Sequence, residues 1–243
     1  MYIKSEGIVL RTVKYGDNSL IADVYTLYNG CLPFMVRIPK GKKRSSSRML
    51  FQPLTQLAFD ADIRPGARMH YFKEVHIALP YVDIPINIYK VTMVMFLAEF
   101  LSYAIAKEGK NEPLYAFLKY ALEWLDACKG DFSNFHLVFL IKLTLFIGFY
   151  PNTDGYRKGD TFDLLNGCFS PIALPAEGRI LPPDRARFVR PLIAMNFDTM
   201  HHFHFNHRQR TDVLEVLVEY YRLHVPGFPP LRSMDVLKEV FGV

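Results

Sequence analysis

Cysteine is scarce in this 243-residue chain, and the three present, Cys31, Cys128 and Cys168, stand far apart with no CxxC among them. That excludes a disulfide framework and a cysteine-rich metal site, and it fits a reducing compartment. Clean apolar runs of about 18 to 20 residues, the length a membrane span needs, are missing too. The two longest, Val91–Ala106 and Phe135–Tyr150, are broken by Glu99 and Lys142 and read as core helices. No secretory leader is predicted, because Lys4 and Glu6 fall within the first ten residues. Catalytic signatures are absent as well: no G-x-S-x-G, no carboxylate pair at a recognisable spacing, no Cys–His pair with a local signature. A non-enzymatic, cytoplasmic protein is the expectation.

What is present is core material and positive charge. Half the residues are hydrophobic and 14% are aromatic, while the net charge is +5. The charge is unevenly placed. Residues 1–80 hold 12 basic and 6 acidic side chains, whereas the rest of the chain has a net charge of −1. Half of those 12 sit in one stretch, RIPKGKKRSSSR: Arg37, Lys40, Lys42, Lys43, Arg44 and Arg48, with no acidic residue between them. Like charges at that density are tolerated in a solvated loop and favoured beside a polyanion, and Ser45–Ser47 add hydroxyls that can meet phosphate oxygens. The stretch is not a phosphate-binding P-loop. Gly41-Lys42 is followed by Lys43, and Val36 stands where the first glycine belongs.

Residues 1–80 read as five strands: Tyr2–Leu10, Leu20–Tyr28, Cys31–Pro39, Leu54–Asp60 and Met69–Leu79. Tyr15-Gly16-Asp17-Asn18 is a turn signal. Asn29-Gly30 predicts a two-residue hairpin turn with positive φ at both residues. Five short strands in that length predict a closed barrel of the OB type, which places the basic stretch between two strands. Among the barrel aromatics, Phe34, Phe51, Tyr71 and Phe72 read mainly as core. Tyr15 and Tyr28 lie beside turns and are the candidates for stacking on bases.

After Pro80 the period becomes helical. Helices are predicted over Ile88–Ala106, Leu114–Cys128, Phe135–Phe149 (Ser133 as N-cap), Pro183–Ala194, Phe205–His224 and Met234–Phe241 (Ser233 as N-cap). Asn152–Pro183 is rich in Gly and Pro and reads as a small ordered insertion. The fold class is therefore α+β, with a five-stranded OB-fold barrel over 1–80 and a helical domain over 81–243 that carries the insertion at 152–183. Four histidines, His201, His202, His204 and His207, match no familiar zinc spacing and fit a polar helix start better than a metal site.

Several stretches together resemble the bacterial RecO family of recombination mediators. They are GIVLRTVKYGDNSLIADVYTLYNG, the KGKKRSSSR loop, LFQPLTQLAF, and the closing RTDVLEVLVEYYRLHVPGFPPLRSMDVLKEVF. The resemblance implies binding to single- and double-stranded DNA, strand annealing, and help in loading RecA recombinase onto strands covered by single-strand-binding protein. It implies RecR and the acidic C-terminal tail of single-strand-binding protein (SSB) as partners, no membrane, and a place beside the bacterial nucleoid. Carried over residue by residue, it marks Lys40, Lys42, Lys43, Arg44 and Arg48 in the loop, with Arg11 and Lys14 in the first matching stretch. Arg37 joins them by position. Many members of that family hold zinc with four cysteines in the segment after the third core helix. Here that segment has only Cys168, so no cofactor is expected, and Phe162, Leu165 and Phe169 are expected to hold it by packing. An RNA-binding barrel with a helical interaction domain is the alternative reading of the residues, and a metal-dependent hydrolase built on the histidines is a third. Strand preference and oligomeric state are not legible in the sequence.

Overall fold

The computed structural model describes residues 2–39, 41, 47–64, 66–171 and 179–241. The chain forms two compact units, Met1–Ala127 with Leu231–Leu237, and Cys128–Pro230 with Lys238–Val243.

The first unit contains the barrel. Its strands are β1 (Tyr2–Lys14), β2 (Ser19–Thr26), β3 (Gly30–Arg37), β4 (Gln56–Asp62) and β5 (His70–Ile77). They close in the order β1-β2-β3-β5-β4, and the β3–β5 pairing is the parallel one. The OB-type barrel expected from the strand pattern is thus present. Strand β1 is long enough to pair with β4 through its first half and with β2 through its second, with a register shift between Val9 and Arg11. Val9, Ala22, Val24, Phe34, Val36, Leu57, Phe59 and Ala61 fill the interior. Phe34 stacks on Phe72 at 4.1 Å, and Phe59 meets both rings edge-on.

Three local expectations need correction. The β2–β3 turn has three residues, 27–29, between the paired Thr26 and Gly30, and only Gly30 has positive φ (68°). The Thr26 hydroxyl closes it, accepting from the Asn29 N–H and donating to the Gly30 carbonyl, as a three-residue loop ending in a left-handed residue does. Strand β4 starts at Gln56 and not Leu54, because buried Leu54 sits at φ 58°, outside the extended region. Tyr71 is not core. The β4–β5 register shifts between Asp60 and Ala61, leaving Lys73 as the extra residue. Phe72 and Val75 therefore both pack on the core while Tyr71 faces out, 60% exposed.

Two helices complete this unit, α1 (Ile88–Ala104) and α2 (Glu112–Ala127). The Asn87 side chain caps α1 by accepting from the Tyr89 and Lys90 N–H groups. Lys90 is fully buried, ion-paired with Asp83 at 2.7 Å and donating to the Asp126 carbonyl. The Asp126 carboxylate accepts the N–H groups of Val82, Asp83 and Ile84, so the connection from barrel to helix is pinned. Glu99, the residue that interrupts the apolar run, also has a structural task. Its carboxylate accepts the N–H groups of Arg232 and Ser233 and the Ser233 hydroxyl, at the start of the chain's last helix, Ser233–Val240. Ser233 is thus the first helical residue, and Glu99 satisfies its turn in place of a Ser233 cap.

The second unit is built on α3 (Phe135–Phe146), buried on nearly every side. Asn134, not Ser133, precedes it, and the Asn134 amide goes to the Met200 and Phe203 carbonyls instead of capping the helix. Lys142 is half-buried and pairs with no carboxylate among the described residues. Its Nζ donates to the Ile193 carbonyl at 2.8 Å, and burial lowers its pKa. The insertion is a three-stranded sheet in the order β7-β6-β8, with β6 at Thr161–Asp163, β7 at Cys168–Ser170 and β8 at Ile180–Leu181. Phe162 and Leu164 anchor it, with Phe169 packed alongside; Leu165 is 43% exposed and takes no part in the core. The predicted helix over Pro183–Ala194 is two short ones, α4 (Pro183–Ala186) and α5 (Val189–Ala194), followed by α6 (His207–His224), whose start carries an Asn206–Gln209 capping box. Tyr220 and Tyr221 of α6 donate to the Phe149 and Leu140 carbonyls. No helix among the described residues is long and apolar enough to cross a membrane.

Candidate nucleic-acid interface

Cross-strand register decides which cations meet. Lys14 ends β1, Ser19 opens β2, and Arg37 ends β3 opposite Ser19. All three lie at the same end of the barrel as the Tyr15–Asn18 turn. The chain that follows β3 is tied there as well, through the Ile38 N–H donated to the Asn18 carbonyl. Where the chain returns, Arg48 lines a cleft of about 220 Å³ with Lys14, Asp17, Ser19, Phe51 and Gln52. One barrel mouth therefore carries Lys14, Arg37 and Arg48. Among the described residues, no carboxylate lies within ion-pair distance of any of the three. Lys40, Lys42, Lys43 and Arg44 lie outside the described residues; Ile38 before them and Arg48 after them both line the cleft at this mouth.

Arg11 differs from its neighbours. It stands opposite Asp23 on β2, and both its Nε and its Nη2 donate to one Asp23 oxygen, at 3.0 and 2.7 Å. Its charge is paired on the sheet's surface, with the Arg11 side chain half exposed. The stacking candidates part company in the same way. Tyr15 lies in the cationic mouth's turn, 57% exposed. Tyr28 is in the β2–β3 turn, at the far end of the eight-residue β2 and roughly 25 Å away at 3.4 Å per residue. Lys110 lies over its ring at 5.4 Å.

A further row of side chains was not foreseen. The register places Val13, Ile21, Met35 and Tyr71 side by side across four strands, continuing through Asp62 to Tyr2. Tyr71 and Tyr2 are strongly exposed, and Val13 is about half exposed. Lys73 lies over the Tyr2 ring at 5.4 Å and, with Arg64, lines a cleft of about 440 Å³ beside Tyr71. The barrel wall next to the cationic mouth thus combines exposed aromatic rings with cations beside or over them, the surface chemistry that single-stranded nucleic acid uses. The broken alternation at Phe72–Lys73 was the sequence signal for it, since a bulge there turns Tyr71 outward.

Metal chemistry finds no fit. Cys168 is the only thiol of the insertion, and the nearby Asp163 carboxylate is taken up by the Leu165 and Asn166 N–H groups and the Asn166 amide. No three His, Cys, Asp or Glu among the described residues are grouped closely enough to hold an ion. His201, His202, His204 and His207 run through a 3-10 turn into the start of α6. A zinc ion of the four-cysteine kind does not suit these residues.

The fold and the site define an OB-type barrel protein with one cationic mouth, followed by a helical region. Family comparison agrees. Residues 1–81 match the model described as "Recombination protein O N terminal", and residues 87–235 match "Recombination protein O C terminal". Relatives include the DNA repair protein RecO of Phocaeicola vulgatus, 45% identical over 242 residues and all of both chains. That of Bacteroides fragilis is 44% identical over 241 residues, 99% of this chain and all of the relative, and that of Flavobacterium johnsoniae is 37% identical over the whole of both. The chain belongs to the RecO family.

Proposed function

We propose that this protein is a non-enzymatic mediator of recombinational DNA repair, acting in the bacterial cytoplasm at the nucleoid. Residues 1–80 form its DNA-binding domain and residues 81–243 its helical interaction domain. It binds single- and double-stranded DNA and anneals complementary strands. It also helps load RecA recombinase onto strands covered by SSB, with RecR as a second partner. The observation that carries this reading is the convergence of Lys14, Arg37 and Arg48, free of carboxylate partners, at the mouth from which the Lys40–Arg44 segment emerges. Phosphates captured there release counterions, which supplies sequence-independent affinity. Tyr71, Tyr2 and Tyr15 alongside offer ring faces to bases, each worth about 1–3 kcal/mol. Neutralising the backbones lowers their mutual repulsion, and annealing follows.

The SSB tail that the resemblance implies as a partner is acidic. A groove in the second unit is the candidate seat for it, with Phe188, Val189, Leu192, Val213 and Val216 as an apolar floor and Arg185 and Asp212 as its charged residues. The test of the central reading is Lys42→Glu/Lys43→Glu/Arg44→Glu in the full chain. Annealing of complementary strands is expected to be lost, and the dependence of single-strand affinity on salt to flatten by about 0.7 per lost phosphate contact. Wild-type annealing and slope would remove the loop from the account.

A further inference from the structure

A second group of unpaired cations lies in the other unit, beside the apolar groove whose floor includes Phe188. The insertion loop Gly155–Gly159 turns through two glycines at φ 74° and 100° and carries Tyr156, Arg157 and Lys158. Asp160, the acidic residue that closes the loop, is buried and accepts the Arg157 N–H, so its charge is turned away from the surface. The Tyr156 ring lies between Phe169, at 4.6 Å, and the guanidinium of Arg190 on α5, at 5.6 Å. That contact joins the loop to the helix. Three residues before Arg190, Arg187 lies over the Phe188 ring at 4.8 Å. Residues 187 and 188 have helical backbone angles, so Arg187 and Arg190 fall on one face. Arg157, Lys158, Arg187 and Arg190 are all exposed. No carboxylate among the described residues pairs with any of them, although Asp154 and Asp184 are close in sequence.

We infer that Arg157, Lys158, Arg187 and Arg190, set around the Tyr156 and Phe188 rings, form a second nucleic-acid surface that holds the complementary strand during annealing. This rests on the annealing reading above. The physical need is plain: one cationic surface neutralises and holds one backbone, and a second is needed to hold the incoming strand beside it. A guanidinium stacked on a ring keeps its N–H edges free for phosphate oxygens and is already ordered when the strand arrives. An acidic peptide is the competing occupant. It suits this surface less well, because of the groove's apolar floor only Phe188 lies beneath one of these arginines, while Val189, Leu192, Val213 and Val216 line the groove beside Arg185.

The test uses the full-length Arg187→Glu/Arg190→Glu variant, with Arg187→Gln/Arg190→Gln as a milder pair should charge reversal disturb folding. Three readouts are taken on unmodified oligonucleotides: annealing rate, affinity for one strand, and strands bound per chain at saturation. Annealing is expected to fall at least tenfold and the stoichiometry to drop from two strands to one, with single-strand affinity at the tighter site within threefold of wild type. Wild-type annealing and stoichiometry in both variants overturn the inference. Normal annealing of bare strands with lost binding to an acidic peptide also overturns it, and assigns the patch to a protein partner. Loss of all single-strand binding overturns it too, since the patch would then be the primary site. The barrel reading is judged separately, by a Lys14→Glu/Arg37→Glu/Arg48→Glu chain. If that chain binds one strand as wild type does, the barrel mouth is wrong whatever the second patch does.

Discussion

The two ends of the barrel are made from the same strands and do opposite things. At one end β1 finishes on Lys14, β2 begins at Ser19 and β3 finishes on Arg37, and no carboxylate among the described residues pairs with these cations. At the other end the β2–β3 turn is pressed against the segment after α1. The Tyr25 hydroxyl donates to the Gly109 carbonyl and the Cys31 N–H to the Glu108 carbonyl, and Lys110 covers Tyr28. Burial is severe enough there to push the Cys31 thiol up to about 12, with the Asp23 charge adding to it. Both turn tyrosines are exposed, Tyr15 at 57% and Tyr28 at 46%, so the ends differ in the packing around the rings and not in the rings themselves. What matters is whether the protein has already used that end for its own packing.

The largest effect is expected from breaking the closed end. A Cβ added to Gly30 would lie 2.3 Å from the Glu108 carbonyl oxygen and 2.7 Å from the Gly109 backbone, at a φ that side chains rarely adopt. Gly30→Val is expected to destabilise the first unit by about 3 kcal/mol or more, read from denaturant unfolding. A stability within about 0.5 kcal/mol of wild type would mean that this end is not closed as described. Next comes Tyr71→Ala on the exposed wall. It should weaken single-strand binding by about 1–3 kcal/mol while leaving the fold intact, since its ring is mostly solvated. Tyr28→Ala is the smallest: no change in strand affinity, and at most about 1 kcal/mol in stability from its loss beneath Lys110. Should Tyr28→Ala cost more affinity than Tyr71→Ala, the assignment of the two ends is reversed.

Much of this was legible beforehand, for identifiable reasons. Alternation and turn residues gave the five strands, because those signals are local. The chain-wide charge split located the cationic region, because a barrel of this size cannot bury so many cations. What failed was pairing information. Tyr28 and Tyr15 look alike in one dimension and lie at opposite ends in three. Arg11 reads as a free cation until register sets Asp23 opposite it. Tyr71 reads as core until the bulge at Lys73 changes which face is inside. Lys142 and Glu99 look like interruptions of apolar helices, yet each satisfies backbone groups at a helix end that is distant in sequence. That Leu164, and not Leu165, is the packing residue of the insertion depended on the geometry of the β6–β7 turn.

The most direct test of the cationic mouth is the salt dependence of single-strand affinity for wild type and for Lys14→Glu/Arg37→Glu/Arg48→Glu, with the Lys40–Arg44 segment left intact. Three lost phosphate contacts at about 0.7 each should reduce the slope of log affinity against log salt by about 2. A slope unchanged from wild type, with the variant folded, would contradict the account.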